Sequence, residues 1–132
     1  MLKIYLTRHG ETEWNKENRL QGWKDSDLTL NGKENARLLG KRLNDAPIDS
    51  IYTSPSKRAV HTAKLIRGTR NLSIQEETNL REIYFGKWEG CTKESIEAEF
   101  KEEYDHFWNV PHLYNPLNHQ GETLQDLQES RD

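Results

Sequence analysis

The chain is poor in the features that mark several large protein classes. It holds a single cysteine, Cys91, so no internal disulfide can form and a reducing compartment, the cytoplasm, is its expected home. Apolar residues make up only 33% of the chain, and no apolar run approaches the length that spans a bilayer. The start Met1-Leu2-Lys3-Ile4-Tyr5-Leu6 is too short and too alternating for a signal peptide. Basic residues are not in excess: 19 Lys and Arg face 22 Asp and Glu, for a net charge of -3. That balance argues against a nucleic-acid footprint. It leaves room for a small anionic ligand, because local arginines and not the net charge decide that question. Walker A, Gly-x-Gly-x-x-Gly and His-Glu-x-x-His patterns are all missing.

What is present reads as one domain of alternating strands and helices. Residues 2–7 alternate apolar and polar and predict a strand that delivers Arg8 and His9 at its C-terminal end. A polar loop follows over 10–27. Thr29 suits the N-cap of a helix reaching about residue 44, with Ala36, Leu39 and Leu43 on one face. Ser50-Ile51-Tyr52-Thr53 predicts a second strand, and Ser54-Pro55 opens a second helix to about Arg67, striped by Ala59, Ala63 and Ile66. A third strand is expected near 72–75. This succession predicts an α/β fold, a mainly parallel central sheet between helical layers. Thr92 predicts the cap of a third helix to about Trp108, with Phe100, Tyr104, Phe107 and Trp108 on its packed face. Residues 111–120 are irregular, and Thr123 begins a fourth helical segment.

The chemistry gathers at the C-terminal ends of the predicted strands, where open α/β sheets bind ligands. Arg8-His9-Gly10 sets a guanidinium beside an imidazole: a planar fork suited to phosphate oxygens next to a possible nucleophile. Ser54-Pro55-Ser56-Lys57-Arg58-Ala59 projects a second guanidinium from the first turn of a helix, beside amides expected to favour anions. Leu80-Arg81-Glu82 and Gly86-Lys87-Trp88-Glu89-Gly90 supply carboxyl groups from a loop on the same edge, where Glu82 or Glu89 could protonate a departing alkoxide. His9-Gly10-Glu11 also fits the His-x-Glu half of a zinc deaminase site, but one cysteine cannot complete that site. Trp14 and Trp23 flank the active loop. His106, His112 and His119 are expected at the surface, and the glutamates of 94–103 mark a solvated face.

These motifs are similar in kind and order to those of the histidine phosphatase superfamily, which holds cofactor-dependent phosphoglycerate mutases and small broad-specificity phosphatases. The match runs from residue 2 to about residue 128 through Leu6-Thr7-Arg8-His9-Gly10-Glu11-Thr12, Ser54-Pro55, Arg58-Ala59, Thr62-Ala63, Glu82, Gly86, Trp88-Glu89-Gly90 and Gly121-Glu122-Thr123. The resemblance implies a three-layer phosphoglycerate mutase-like fold and phosphoryl transfer from a small phosphorylated substrate. His9 attacks phosphorus and carries the phosphoryl group. Arg8 and Arg58 hold the equatorial oxygens, helped by Asn15 and the backbone near Gln21 and Gly22. Glu82 protonates the leaving oxygen and then deprotonates water. Fixed cations neutralise charge, so neither metal nor cofactor is expected. His9 must start neutral and Glu82 protonated, which predicts a bell-shaped pH profile.

Phosphoglycerate mutases carry Glu-Arg-His-Tyr-Gly around the acid, whereas this chain reads Glu82-Ile83-Tyr84-Phe85-Gly86. Isoleucine cannot bind a carboxylate, so water is the expected phosphoryl acceptor. A mutase, or a phosphate-binding fragment without turnover, stands as the alternative. Residues 92–120 correspond to the cap that sets specificity in relatives. The resemblance further implies a second catalytic histidine on a strand beyond Gly121-Glu122-Thr123. None of His61, His106, His112 or His119 follows an apolar strand in that way, so the chain reads as a C-terminally truncated, N-terminal portion of such a domain. Loss of one such donor costs about 10²–10³ in rate.

Overall fold

A computed structural model describes residues 2–131, and the side chains of residues 2–128. Two parallel strands, β1 (Ser50–Thr53) and β2 (Ser73–Glu76), pair in register from Ser50 opposite Ser73 to Thr53 opposite Glu76. The crossover between them is helix α3 (Lys57–Arg67), preceded by α2 (Leu30–Arg42). Before these, α1 (Glu13–Lys16) is a single turn inside the long polar loop. After them come α4 (Lys93–Glu99), α5 (Lys101–Asn109) and α6 (Leu124–Arg131), with short 3₁₀ turns before α4 and between α5 and α6.

Local chemistry explains the helices. Thr29 caps α2 by accepting the amide of Gly32, and Ala36 faces inward where α2 packs on α3. Thr12 and Asn15 form a reciprocal capping box on α1. Thr92 caps α4 through Ser95 N–H, as expected. The predicted single helix from Thr92 to Trp108 is instead two. Phe100 leaves helical geometry at φ -124° and ψ 48°, and this bend swings its ring onto Trp88. Side-chain packing overrides local helical preference there.

Residues 2–7 do not form the predicted strand. The segment is irregular, with Leu2 85% and Leu6 93% exposed, and no ladder bond engages it among the described residues. Alternation specifies a pleated face, but a strand exists only with a partner, and among the described residues β1 is paired to β2 alone.

The core lies between the acid-bearing loop and the α4–α5 pair. Leu20, Ile83, Phe85, Trp88, Ile96 and Tyr114 are buried together. Trp88 is 1% exposed, and the rings of Phe100, Tyr104, Tyr114 and His119 surround it. Phe107 packs edge-on against Phe85, whereas Trp108 stays half exposed at the end of the expected face.

His119, expected at the surface, is fully buried. It stacks on Trp88 with centroids 3.6 Å apart and planes 9° apart. Its Nδ1 lies 2.8 Å from the Phe85 carbonyl, so that nitrogen carries the proton, and Nε2 accepts from Tyr114 Oη at 3.0 Å. A spacing rule cannot find this residue, because its burial comes from the turn over 117–119. Gly86 makes room for that turn: at φ +59° it faces the His119 carbonyl, where a β-carbon would collide.

Two outcomes follow from this packing. Gly86→Ala should destabilise the fold by about 1–3 kcal/mol in chemical denaturation, since both backbone conformation and space oppose a side chain. Burial also lowers the pKa of His119 below its ordinary 6.5. The unfolded chain therefore binds the proton more tightly, so stability is full above 6.5 and declines as pH falls from there toward the folded-state value. Urea unfolding followed by tryptophan fluorescence should show this slope, and His119→Phe should remove its share of it.

Candidate active site

Arg58 is the best-anchored of the expected site residues. Only 5% exposed, it leaves the first turn of α3 and sends its guanidinium into the loop over 20–25. There Nη2 donates to the Gly22 carbonyl at 2.9 Å, and Nη1 donates to the Lys24 carbonyl at 3.0 Å and to Asp25 Oδ1 at 2.7 Å. The remaining nitrogen, Nε, is buried without a partner among the described residues. A buried unpaired N–H on a cation is costly in the absence of an acceptor.

Asp25 also occupies the start of α3, where free amides were expected. Its Oδ2 accepts from Lys57 N at 2.9 Å and its Oδ1 lies 3.3 Å from Arg58 N. The helix terminus therefore already holds an anion from within the chain, which leaves arginine side chains as the cationic groups for a ligand. Sequence reasoning overlooked Asp25. The only signal was an aspartate in a glycine-containing polar loop, a pattern shared by many turns.

His9 and Arg58 are tied through Thr62, a member of the Thr62-Ala63 motif. The Gly10 amide donates to Thr62 Oγ1 at 3.0 Å, and that hydroxyl donates to the Arg58 carbonyl at 2.8 Å. This relay sets the His9–Gly10 peptide beside the first turn of α3. The His9 Nδ1 lies 2.7 Å from the Gly10 carbonyl, so Nδ1 carries the proton and Nε2 keeps its lone pair. Burial lowers the His9 pKa most; the Gly10 carbonyl partly offsets this, Arg58 and Arg8 lower it again, and Asp25 raises it. The imidazole is thus held neutral in the field of both guanidiniums. Arg8 itself is exposed.

The other expected residues divide. Asn15 Oδ1 caps Thr12 N–H at 3.0 Å, which leaves its amide group as the donor side. Gln21 is buried, and its Oε1 accepts from Ser26 Oγ at 3.0 Å and lies 2.9 Å from Thr12 Oγ1, so this oxygen organises the loop. Gly22 serves Arg58 through its carbonyl. Glu82 is exposed, lines a cavity together with Asp25, Lys57 and Arg81, and accepts its neighbour Ile83 N–H at 2.9 Å.

Glu89, the competing carboxyl group, is buried and fully engaged. Its Oε1 accepts Lys24 N–H at 2.7 Å and its Oε2 accepts Phe85 N–H at 2.9 Å. It bolts the arginine-binding loop to the Glu82 loop and has no oxygen to offer a substrate. Glu122 of the Gly121-Glu122-Thr123 motif does similar work, accepting Tyr84 N–H at 3.1 Å while its own amide donates to the Tyr84 carbonyl at 2.7 Å.

An imidazole in the field of two guanidiniums, on a scaffold of helices and a parallel strand pair, places the chain in the class of α/β proteins with a candidate anion site. The comparisons narrow the class. The family model of the histidine phosphatase superfamily (branch 1) matches residues 4–130, and the chain belongs to this superfamily. It is 38% identical over 112 residues to phosphoserine phosphatase 1 of Hydrogenobacter thermophilus, covering 85% of this chain and 53% of that protein. It is 38% identical over 128 residues to a 2,3-bisphosphoglycerate-dependent phosphoglycerate mutase of Rhizobium rhizogenes, covering 93% and 60%. Among solved structures, YhfR of Bacillus stearothermophilus superposes with a TM-score of 0.86 at 49% identity, covering 93% of this chain and 60% of its own. The alpha-ribazole phosphatase of Shigella flexneri gives 0.79 at 32% identity, covering 92% and 59%. The α/β fold is thereby shared with phosphoglycerate mutase-like proteins, and the chain spans just over half the length of these relatives. No helix among the described residues is long and apolar enough to cross a membrane.

Asp25→Asn tests the electrostatics of the site. It removes a charge-assisted bond to a buried guanidinium and should cost about 1.5–3 kcal/mol in denaturation experiments. Asp25 raises the His9 pKa, so the substitution should lower it further, read as an imidazole shift in a proton NMR titration.

Proposed function

We propose that this chain carries the phosphoryl-accepting centre of a phosphomonoester hydrolase that works through a phosphohistidine on His9. One observation carries the reading: the Gly10 carbonyl fixes the His9 tautomer with Nδ1 protonated, so Nε2 is a neutral nucleophile. Nε2 attacks phosphorus, and the bond from phosphorus to the ester oxygen breaks. Arg8 and the unpaired Nε of Arg58 stabilise the equatorial oxygens, with the Asn15 amide as a further donor. The departing oxygen takes the proton of Glu82. Water then attacks the phosphohistidine, gives its proton to the Glu82 carboxylate, and releases inorganic phosphate with His9 restored.

The surroundings of the acid favour water over a sugar acid as acceptor. Ile83 and Phe85 are both buried in the apolar core, so neither position can bind a substrate carboxylate. The α4–α5 pair and the turns after it form the cap that selects the leaving group. The substrate is a small phosphorylated metabolite, handled in the cytoplasm, where a lone half-buried thiol is in keeping with reducing conditions.

The chain should hydrolyse a chromogenic aryl phosphate, and brief exposure to labelled substrate followed by alkaline quench should leave acid-labile label on His9. His9→Ala should abolish the label and lower turnover by at least about 10³-fold. Label that survives in His9→Ala, or phosphoryl transfer seen only with a bisphosphoglycerate primer, would reject the hydrolase reading. The acid limb of phosphoenzyme formation should fall below pH 6.5, the ordinary value for histidine, because the His9 pKa is lowered.

A further inference from the structure

Between Gly22 and Lys24, whose carbonyls hold Arg58, stands a ring that the chemistry above does not use. Trp23 is 47% exposed and lines the cavity that Glu82 also lines. Its indole N–H donates to the Glu82 carbonyl at 3.0 Å. The Arg81 guanidinium lies over its ring, 4.6 Å from the centroid, and the Tyr84 ring tilts against it at 4.9 Å. One side chain therefore grips the residue before the candidate acid, the acid's own carbonyl, and the residue two places beyond. The same loop is fastened to Arg58 by two carbonyls.

Such a grip matters because the reach of a glutamate carboxyl is set from its backbone outward. Proton transfer to a leaving oxygen needs an approach of about 2.6–3.2 Å, so displacing the backbone by a fraction of that removes productive geometries. Downstream, Glu89 holds Phe85 and Glu122 holds Tyr84. At Glu82 itself, the backbone carbonyl is held by the indole.

We propose that Trp23 is a positioning residue that sets the reach of Glu82 toward a phosphoryl group held at Arg58, through its indole N–H and its packing on Arg81 and Tyr84. This inference rests on the acid role of Glu82 given under Proposed function. When the bond between phosphorus and an alkyl oxygen breaks, the electron pair stays on that oxygen, which must take the Glu82 proton. A nitrophenolate leaves without it. In the step that forms the phosphohistidine, loss of positioning should therefore be felt by alkyl esters and not by nitrophenyl esters, whereas the later attack of water is common to both.

The test compares the unaltered chain, Trp23→Phe, Trp23→Ala and Glu82→Gln on 4-nitrophenyl phosphate and on glycerol 2-phosphate. Trp23→Phe keeps a ring for Arg81 and Tyr84 and removes the donor. It should lower the single-turnover rate at which label from the alkyl ester reaches His9 about 10-fold, with KM and the same rate from the nitrophenyl ester within about twofold. Trp23→Ala should lower the alkyl rate by about 10²-fold with the same selectivity. If it fails to fold by circular dichroism, the phenylalanine variant decides. Equal slowing of phosphohistidine formation on both esters in Trp23→Phe, or a change in KM alone, would overturn the positioning role while a selective Glu82→Gln keeps the acid in place. A Glu82→Gln variant in which phosphohistidine formation slows alike on both esters would overturn the acid reading, and this inference with it. An unaltered chain that turns over neither ester would reject both.

Discussion

The structure around the site depends on one buried guanidinium. Arg58 is withdrawn from water, so its charge must be met by oxygen acceptors, and the loop over 20–25 supplies two carbonyls and a carboxylate. That demand shapes the loop, fixes the start of α3 through Asp25, and leaves one nitrogen unspent. A surface arginine in the same place would hold nothing, since exposed ion pairs contribute little. Burial converts a cation from a solvated charge into an organiser of backbone.

The second organising element is apolar. Trp88 sits at the centre of a ring cluster whose members come from the acid-bearing loop, α4–α5 and the turn at 117–119. Its stack with His119 brings the turn at 117–119 down onto the loop that carries Glu82. The aromatic cluster and the arginine-bound loop meet through Glu89, whose two oxygens reach one side each. Apolar packing and polar satisfaction thus hold opposite ends of the same loop.

Much of this was legible in the sequence, for identifiable reasons. Thr29 and Thr92 are strong caps, and local capping needs no tertiary partner, so α2 and the start of α4 were readable. Arg58 lies in a compact motif set by the end of β1 and the first turn of α3, and His9 in the contiguous Arg8-His9-Gly10 run. What depended on distant partners was not readable. The alternation of Leu2, Ile4 and Leu6 announces a strand, but pairing is a property of two segments. The burial of His119 and the break at Phe100 arise from the pull of Trp88, a contact that no short window contains. The role of Glu89 as a bolt and not an acid comes from two amides far apart in sequence, Lys24 and Phe85.

Gly22 illustrates how tightly the two loops are interlocked. A β-carbon there would lie 2.6 Å from Glu89 Oε2 and 2.8 Å from the Ile83 carbonyl. Shortening residue 89 would clear the first obstacle but not the second, and would strip the amides of Lys24 and Phe85 of their acceptor. Neither position can drift alone. Across related sequences, a side chain at 22 is expected only where both loops have been rebuilt together, so glycine at 22 and glutamate at 89 should be inherited as one unit.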